Sequence, residues 1–573
     1  MSAIKLGFQL LVLLLSCYGY LQYLRKYLRP EFCISLLFSG VGSVLFLAGI
    51  LNLLREAVWC IWLGGLLLAG QSVSRKESVK NLLCFGTVFF LVFAVFFLFL
   101  LPSSEFIHYD NFSHWALVSR IVNRQSRFPN YNDCNITFPS YPLGSASFIF
   151  FITKTTGCSA EWMQMYAQAI LMVGMLVSLF AFARGPIQSL ATAVCAVFLL
   201  CGNGRVFDLL VDCLLPLTAL SAVAAVTDYG ETIRQKLWVS LPYALFLVSI
   251  KNSGVLFVLL LYGYLWLTSR RQSIPLKTWV PFLAAPAIML LLWQKHVQAM
   301  FEKGMLGKHS LSISYFRSVF GQKGLSDICL IAGEMADRVF SVSNPALWLL
   351  LTGLLLLLLC KRFASKACPE MKRVFLFGAV SYVLYQIGTL GMYLFSMPGK
   401  EALNLAGYNR YHQTILLFLI GLFLIGLMRG LDALEVPSSR HLISAAALAA
   451  GLILSFYIIR PDFSSLQKLH LAGTDRQKYD QLIAQYDIPS GGSYLVLTRA
   501  DRNDSGYLHY LTLYLLNAQT VRVLPSTKLD TIELSDYDYV IVFEETEEAS
   551  TLMTQLTGTE CLVACLRSAD IEE

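Results

Sequence analysis

Fourteen apolar runs divide this chain, and several are long enough to cross a bilayer. The run at residues 82–101 contains no charged residue at all. A spanning helix needs about 20 mostly apolar residues, fewer where its ends are wet or snorkelled. The runs lie at residues 4–21, 32–53, 58–69, 82–101, 163–182, 187–200 and 206–226, then at 237–250, 255–267, 280–293, 346–360, 374–395, 415–427 and 442–459. Charged residues make up 14% of the chain and mean hydropathy is +0.60. Soluble domains carry about 25% charged residues, so soluble classes are excluded. The expected fold is an α-helical polytopic membrane protein with about 12–14 transmembrane helices at 1–459, followed by a small α/β domain at 460–573.

The net charge of +7 needs no nucleic-acid partner. Lys and Arg gather in alternate loops: Arg25, Lys26 and Arg29; Arg75, Lys76 and Lys80; Arg184; Arg234 and Lys236; Arg270, Arg271 and Lys277; Lys361, Arg362, Lys366, Lys372 and Arg373; Arg429 and Arg440. The positive-inside rule assigns these loops to the cytoplasm. Three long regions, 102–161, 294–344 and 460–573, then face outside with the N-terminus and the shorter loop 397–413. The first run lacks a basic leader and a small-residue cleavage site, so it reads as a retained helix. The cysteines are scattered, with no metal-type pairing. Cys134 and Cys158 share one exterior loop, which leaves a disulfide open.

The tail changes composition and alternates helix and strand. Helices are expected at 475–486, 507–517 and 547–556, and strands at 494–498, 521–524, 537–543 and 561–566. Asp536-Tyr-Asp538 has the form of a nucleotide-sugar motif but opens an exterior strand, so it reads as surface acids.

Chemistry-bearing residues collect at the exterior ends of the apolar runs. His108-Tyr-Asp-Asn-Phe-Ser-His-Trp115 follows the run at 82–101. A helix starting near Asp110 sets His114 one turn on and on the same face. Asp110 is either an N-cap favoured by the helix dipole or a base for a hydroxyl proton. Arg120, Arg124 and Arg127 follow, suited to lipid phosphates or to headgroup snorkelling. Phe138-Pro-Ser-Tyr-Pro-Leu-Gly144 then returns the chain to the membrane. Asp208 and Asp212, four apart, are expected on one face of an apolar helix, where ionisable groups are costly. Lys251 opens the break Lys251-Asn-Ser-Gly254. Arg410 and His412 open a late apolar run, and Arg410 suits bidentate phosphate binding.

This ordered set resembles the GT-C superfamily of polytopic glycosyltransferases, which use polyprenyl-phosphate-linked sugars. The resemblance covers residues 82–459. It implies that Asp110 is the general base, that 115–127 and 139–144 are the surface helices and Pro-rich return, and that Asp208 or Asp212 is the later acid. Lys251 to Gly254 corresponds to a Lys-x-x-Gly break, and Arg410-Tyr411 to an Arg-Tyr pair. Many relatives have paired acids where this chain has Asp110-Asn111, so metal use stays open; Mg or Mn is the candidate. Three helices precede the usual start of that fold.

The expected function is inverting transfer of a sugar from a polyprenyl-phosphate donor to an envelope glycan or glycolipid, on the extracytoplasmic face of a bacterial inner membrane. Asp110 and His114 are the expected catalytic pair. Lys251, Arg410, His412, Asp208, Asp212, Arg120, Lys308 and His309 are the expected substrate and phosphate contacts. Two alternatives stay open. A ligase or polymerase would take a glycan or teichoic-acid chain from a polyprenyl-diphosphate carrier, using basic groups such as Lys303, Lys308, His309 and Arg317. A flippase would place charges mid-membrane and repeat its halves.

Overall fold

The computed structural model describes residues 3–133, 136–202, 206–230, 232–269, 274–301, 312–363, 368–432 and 440–566. Among these, seven helices are long and apolar enough to cross a membrane. An eighth forms if Leu325–Phe340 and Pro345–Leu358, bent by 46°, are one broken span. Five shorter apolar helices complete the bundle: Phe85–Leu100, Pro186–Gly202, Leu214–Asp228, Gly254–Ser269 and Ala445–Ile459. The chain is a helical polytopic protein with a small C-terminal sheet.

Helix–helix packing in lipid depends on close backbone approach at small residues, because lipid tails give apolar side chains no reason to leave them. The first and third helices, Ala3–Arg25 and Leu54–Ser74, use this device. A Cβ on Gly19 would lie 2.0 Å from the Gly65 carbonyl oxygen, so only glycine lets the two backbones touch. This pair is peripheral. The second helix, Pro30–Ile50, is different: it lies in the core against Ile233–Ile250 and Gly144–Thr156. Ser35 bonds the Tyr243 hydroxyl at 2.7 Å, and Phe38 packs on Phe148 at 4.9 Å. The three early helices are therefore not one appendage.

Contacts between the connections sort them to two ends. One end is tied by ion pairs between basic loops and helix termini: Lys26 to Glu77, Arg29 to Asp228 and Arg184 to Asp432, at 3.0–3.2 Å. The other end is tied by backbone bonds. Tyr131 N–H donates to the Met300 carbonyl, the Trp293 indole to Ser140, and Asp462 N–H to Cys201. The 102–115 segment, Lys251, Arg410 and the tail all lie at this second end.

One expectation needs correction. Residues 206–213 were expected to open the helix that runs to 226, but that helix begins at Leu214. Asp208 and Asp212 of this irregular stretch line cavities instead. The described part of the 294–344 stretch is mostly helical. Leu276–Met300 runs into it, and Ile313–Gly321 and Leu325–Phe340 are helices. Leu325–Phe340 buries Ile331 and Met335 on one face while Leu325, Leu330 and Phe340 stay exposed on the other.

In the tail, helix Asp475–Tyr486 precedes β1 (Ser493–Thr498), helix Tyr507–Leu516, β2 (Thr520–Pro525), β3 (Tyr539–Val542), helix Glu547–Thr557 and β4 (Val563–Cys565). The sheet order is β2-β1-β3-β4. β1 pairs parallel with β2 and β3, and β4 closes the edge antiparallel. β1 is buried along nearly its whole length, as a central parallel strand must be.

Candidate functional site

The chain leaves helix Phe85–Leu100, runs extended, and turns into helix again at Tyr109. Its first full turn, Asn111–Trp115, is a π-turn, a widened helix that recurs at functional sites. Asp110 stands at the N-cap position, yet its side chain makes no capping hydrogen bond. Its carboxylate instead meets the Arg410 guanidinium, Oδ2 to Nη1, at 2.5 Å. The structural N-cap reading of Asp110 is thereby set aside.

Arg410 begins helix Tyr408–Asp432 and reaches two acids. Its Nε lies 3.4 Å from Asp212 Oδ2. The other oxygen of Asp212 accepts from Lys251 Nζ at 2.8 Å. Lys251 sits in extended backbone where helix Ile233–Ile250 ends and Gly254–Ser269 begins. The turn between them requires glycine, because a Cβ on Gly254 would lie 1.9 Å from the Leu247 carbonyl oxygen. Burial works against the charge on Asp212, but Lys251 and Arg410 outweigh it and hold the carboxyl below its ordinary value.

These four charges border a chamber of about 200 Å³ with an aromatic wall. Tyr141 stacks on Trp115 and Phe138 at 5.8 and 5.2 Å. Lys251 and Arg410 both lie over the Tyr411 ring, at 5.6 and 5.4 Å. His114 is part of the same wall and only 2% exposed. Neither of its ring nitrogens has a hydrogen-bond partner among the described residues. Burial, helped by the Lys251 charge, pushes its pKa down to about 3, so the imidazole is neutral at physiological pH. A buried polar group without a partner is costly, and one aimed into a chamber is poised for a ligand.

The chamber shares Tyr141, Asp212, Lys251 and Tyr411 with a second space of about 480 Å³. This one is a groove between helices Gly254–Ser269 and Cys368–Phe395, lined by Val255, Leu256, Leu259, Met392 and Phe395. Charge thus meets hydrocarbon across four side chains.

Asp110, His114, Asp212, Lys251 and Arg410 converge as the sequence suggested, from segments up to 300 residues apart. Three other residues do not join them. Asp208 shares no helical face with Asp212, because residues 206–213 are not helical, and it lines a separate cleft. Arg120 donates to the Tyr514 carbonyl and covers the Tyr514 ring at 4.3 Å, so it belongs to the tail contact. His412 points away from the chamber, stacked on Tyr408 at 5.6 Å and near the Tyr382 hydroxyl. Lys303, Lys308, His309 and Cys134 lie outside the described residues.

Sequence reading missed Tyr141 as a wall residue and Glu401 as a chamber acid. Tyr141 stood between the two prolines of the return, a visible signal; Glu401 had none. Among the described residues no three His, Cys, Asp or Glu side chains converge as a metal site. The Arg410 guanidinium already bridges Asp110 and Asp212, where a bridging cation would otherwise sit.

The tail packs on the outer side of this segment. Tyr507 donates to the Ile107 carbonyl at 2.9 Å, and Phe112 packs between Tyr507 and Tyr514. Comparison of the chain with protein-family models, with curated proteins and with solved structures gives no match.

Proposed function

We propose that this protein is an integral-membrane glycosyltransferase of the GT-C type, moving a sugar from a polyprenyl-phosphate donor to a glycan or glycolipid acceptor. The observation that carries the reading is the junction of a chamber holding two cations with a lipid-sized apolar groove. A lipid phosphate needs both, side by side. The basic connections at the opposite end favour a cytoplasmic position for that end, and so an extracytoplasmic chamber.

In this reading the isoprenoid tail lies in the groove and the phosphate draws Lys251 and Arg410 toward itself. Arg410 then loosens from Asp110. The freed carboxylate takes the proton of the acceptor hydroxyl as that oxygen attacks the anomeric carbon. The bond from that carbon to the phosphate oxygen breaks, and its electron pair stays on the phosphate, held by the two cations. Attack from the opposite face inverts the anomeric centre. Neutral His114 orients a sugar hydroxyl, and the aromatic wall carries the ring. Three acids, Asp110, Asp212 and Glu401, stand against two cations in the chamber. That balance favours a monophosphate over a more anionic diphosphate donor.

The test compares lipid-linked sugars and envelope glycans in cells lacking the protein, complemented with wild type or Asp110→Asn at matched expression. The expected result is loss of one glycan decoration with accumulation of its lipid-linked sugar, reversed by wild type alone. Transfer by purified Asp110→Asn should fall by about 10²–10⁴-fold. Full complementation by Asp110→Asn overturns the base assignment.

A further inference from the structure

Arg410 holds the Asp110 carboxylate in this structure, but in the mechanism above it leaves when the phosphate arrives. Something else must then keep the carboxylate in place.

The segment that carries Asp110 has little main-chain support of its own. Residues 104–108 form neither helix nor strand. Among the described residues, no main-chain group of Glu105, Phe106 or Ile107 pairs with another main-chain group. Side chains bond this backbone instead, as buried peptide groups require. Phe106 N–H donates to Glu161 at 2.6 Å, the Phe106 carbonyl accepts from Arg476 at 3.3 Å, and the Ile107 carbonyl accepts from the Tyr507 hydroxyl at 2.9 Å. Two of these three partners belong to the tail.

The tail also reaches the segment with one face of a single helix. Helix Tyr507–Leu516 carries tyrosines at 507, 510 and 514, spaced three and four apart and therefore on one side. Each of them meets the base segment. Tyr507 lies against Phe112 at 5.8 Å, and Tyr510 meets Tyr109 edge-on at 5.3 Å. Tyr514 packs on Phe112 at 5.3 Å and on Phe106 at 6.5 Å. The contacts thus fall at 106, 107, 109 and 112, on both sides of Asp110. Tyr109 lines the chamber next to Asp110, whereas the three tail tyrosines do not line it. They can act on the chamber only through the segment they hold.

We propose that this tyrosine face positions the base. Tyr507, Tyr510 and Tyr514 are positioning residues that fix the main chain around Asp110, so the carboxylate keeps its aim into the chamber after Arg410 has turned to the phosphate. The tail is then a working part of the site. That Asp110 is a base rests on the transferase reading; that the tail sets the position of its segment does not.

The experiment uses the full chain in lipid nanodiscs. Tyr507→Phe removes the bond to Ile107 and keeps the ring on Phe112, and Tyr510→Leu removes the ring edge from Tyr109. In the double variant, hydrogen exchange read by mass spectrometry should be about tenfold faster at residues 105–112, the size of a lost hydrogen bond. Exchange in helix Asp475–Tyr486 and in β1 should stay as in wild type, which shows the tail still folded. Transfer from a polyprenyl-phosphate sugar should lose about tenfold in kcat, with the donor KM within about twofold of wild type, since Lys251 and the lipid groove are untouched. Tyr486→Phe takes a hydroxyl from Leu562 N–H elsewhere in the tail and should move neither readout. Unchanged exchange at 105–112 overturns the proposal. So does faster exchange with a wild-type kcat, or with a loss confined to the donor KM. Faster exchange together with unaltered envelope glycans in the deletion strain keeps the anchoring by the tail and removes the transferase reading.

Discussion

Two of the ion clusters among the described residues join distant segments around one arginine, and they are finished in opposite ways. Around Arg476 everything is closed. Its guanidinium meets Asp480 at 2.7 Å, Glu161 at 3.3 Å and the Phe106 carbonyl at 3.3 Å. Glu161 in turn accepts from Phe106 N–H at 2.6 Å and from the Tyr514 hydroxyl at 3.0 Å. Around Arg410 the charges also pair, but they face open space, and His114 beside them has no hydrogen-bond partner among the described residues. Satisfied networks rigidify; partly satisfied ones are expensive and persist where a ligand completes them. The Arg476 cluster therefore reads as the clasp that docks the tail on the base segment, and the Arg410 cluster as the site.

If that contrast holds, the two clusters fail differently. Arg410→Lys should reduce transfer by about 10²–10³-fold, the loss of one preorganised charge contact, because an ammonium cannot replace a planar fork shared by two carboxylates. The thermal midpoint should stay close to wild type, and a loss of activity that merely tracks loss of fold would break the distinction. Glu161→Ala should act the other way. It takes one carboxylate from Arg476 and leaves the Phe106 N–H and the Tyr514 hydroxyl without their acceptor, and should cost about 2–3 kcal/mol. The measurement is limited proteolysis: the tail should become cleavable near residues 460–474 while the helical bundle stays intact. Unchanged protease resistance would show that the clasp does not hold the tail.

Much of this was legible in the chain before any coordinates. Helix Asp475–Tyr486 falls where the amphipathic spacing puts it, and Thr474 caps it by accepting from Gln477 N–H. The Lys251 break was readable because Ser-Ile-Lys-Asn-Ser-Gly cannot continue an apolar helix. The pairing of Asp110 with Arg410 was not readable, since nothing local links residues 300 apart. Helical spacing also misled at Asp208 and Asp212. Apolar residues surround both, and the period of four is real, but Asn111 Oδ1 takes the Leu209 N–H at 3.0 Å. That bond to the base segment replaces a helical one and holds the loop open.

Gly254→Ala sharpens the contrast from the backbone side. The added carbon meets a main-chain oxygen rather than a flexible side chain, so the turn must shift, at about 2–3 kcal/mol. Lys251 moves with it. Transfer and stability should fall together, unlike Arg410→Lys, and tail proteolysis should stay as in wild type. A fully active Gly254→Ala protein would mean that the position of Lys251 is not critical.

The smallest effect separates the clusters by acid. His114 is held neutral by burial, with its pKa lowered from 6.5 to about 3. The unfolded chain binds a proton there below about pH 6.5 and the folded one does not. Stability from this group is therefore fully present above pH 6.5 and is lost as pH falls below it, by up to about 1.4 kcal/mol per pH unit. Between pH 6.5 and 5 the loss is about 2 kcal/mol. His114→Phe keeps the ring in the aromatic wall and removes the proton site. Its thermal midpoint in nanodiscs should fall less steeply over that range than the wild-type midpoint. Equal slopes in wild type and His114→Phe would mean that the imidazole reaches solvent or a partner, and the chamber would then be no less satisfied than the clasp.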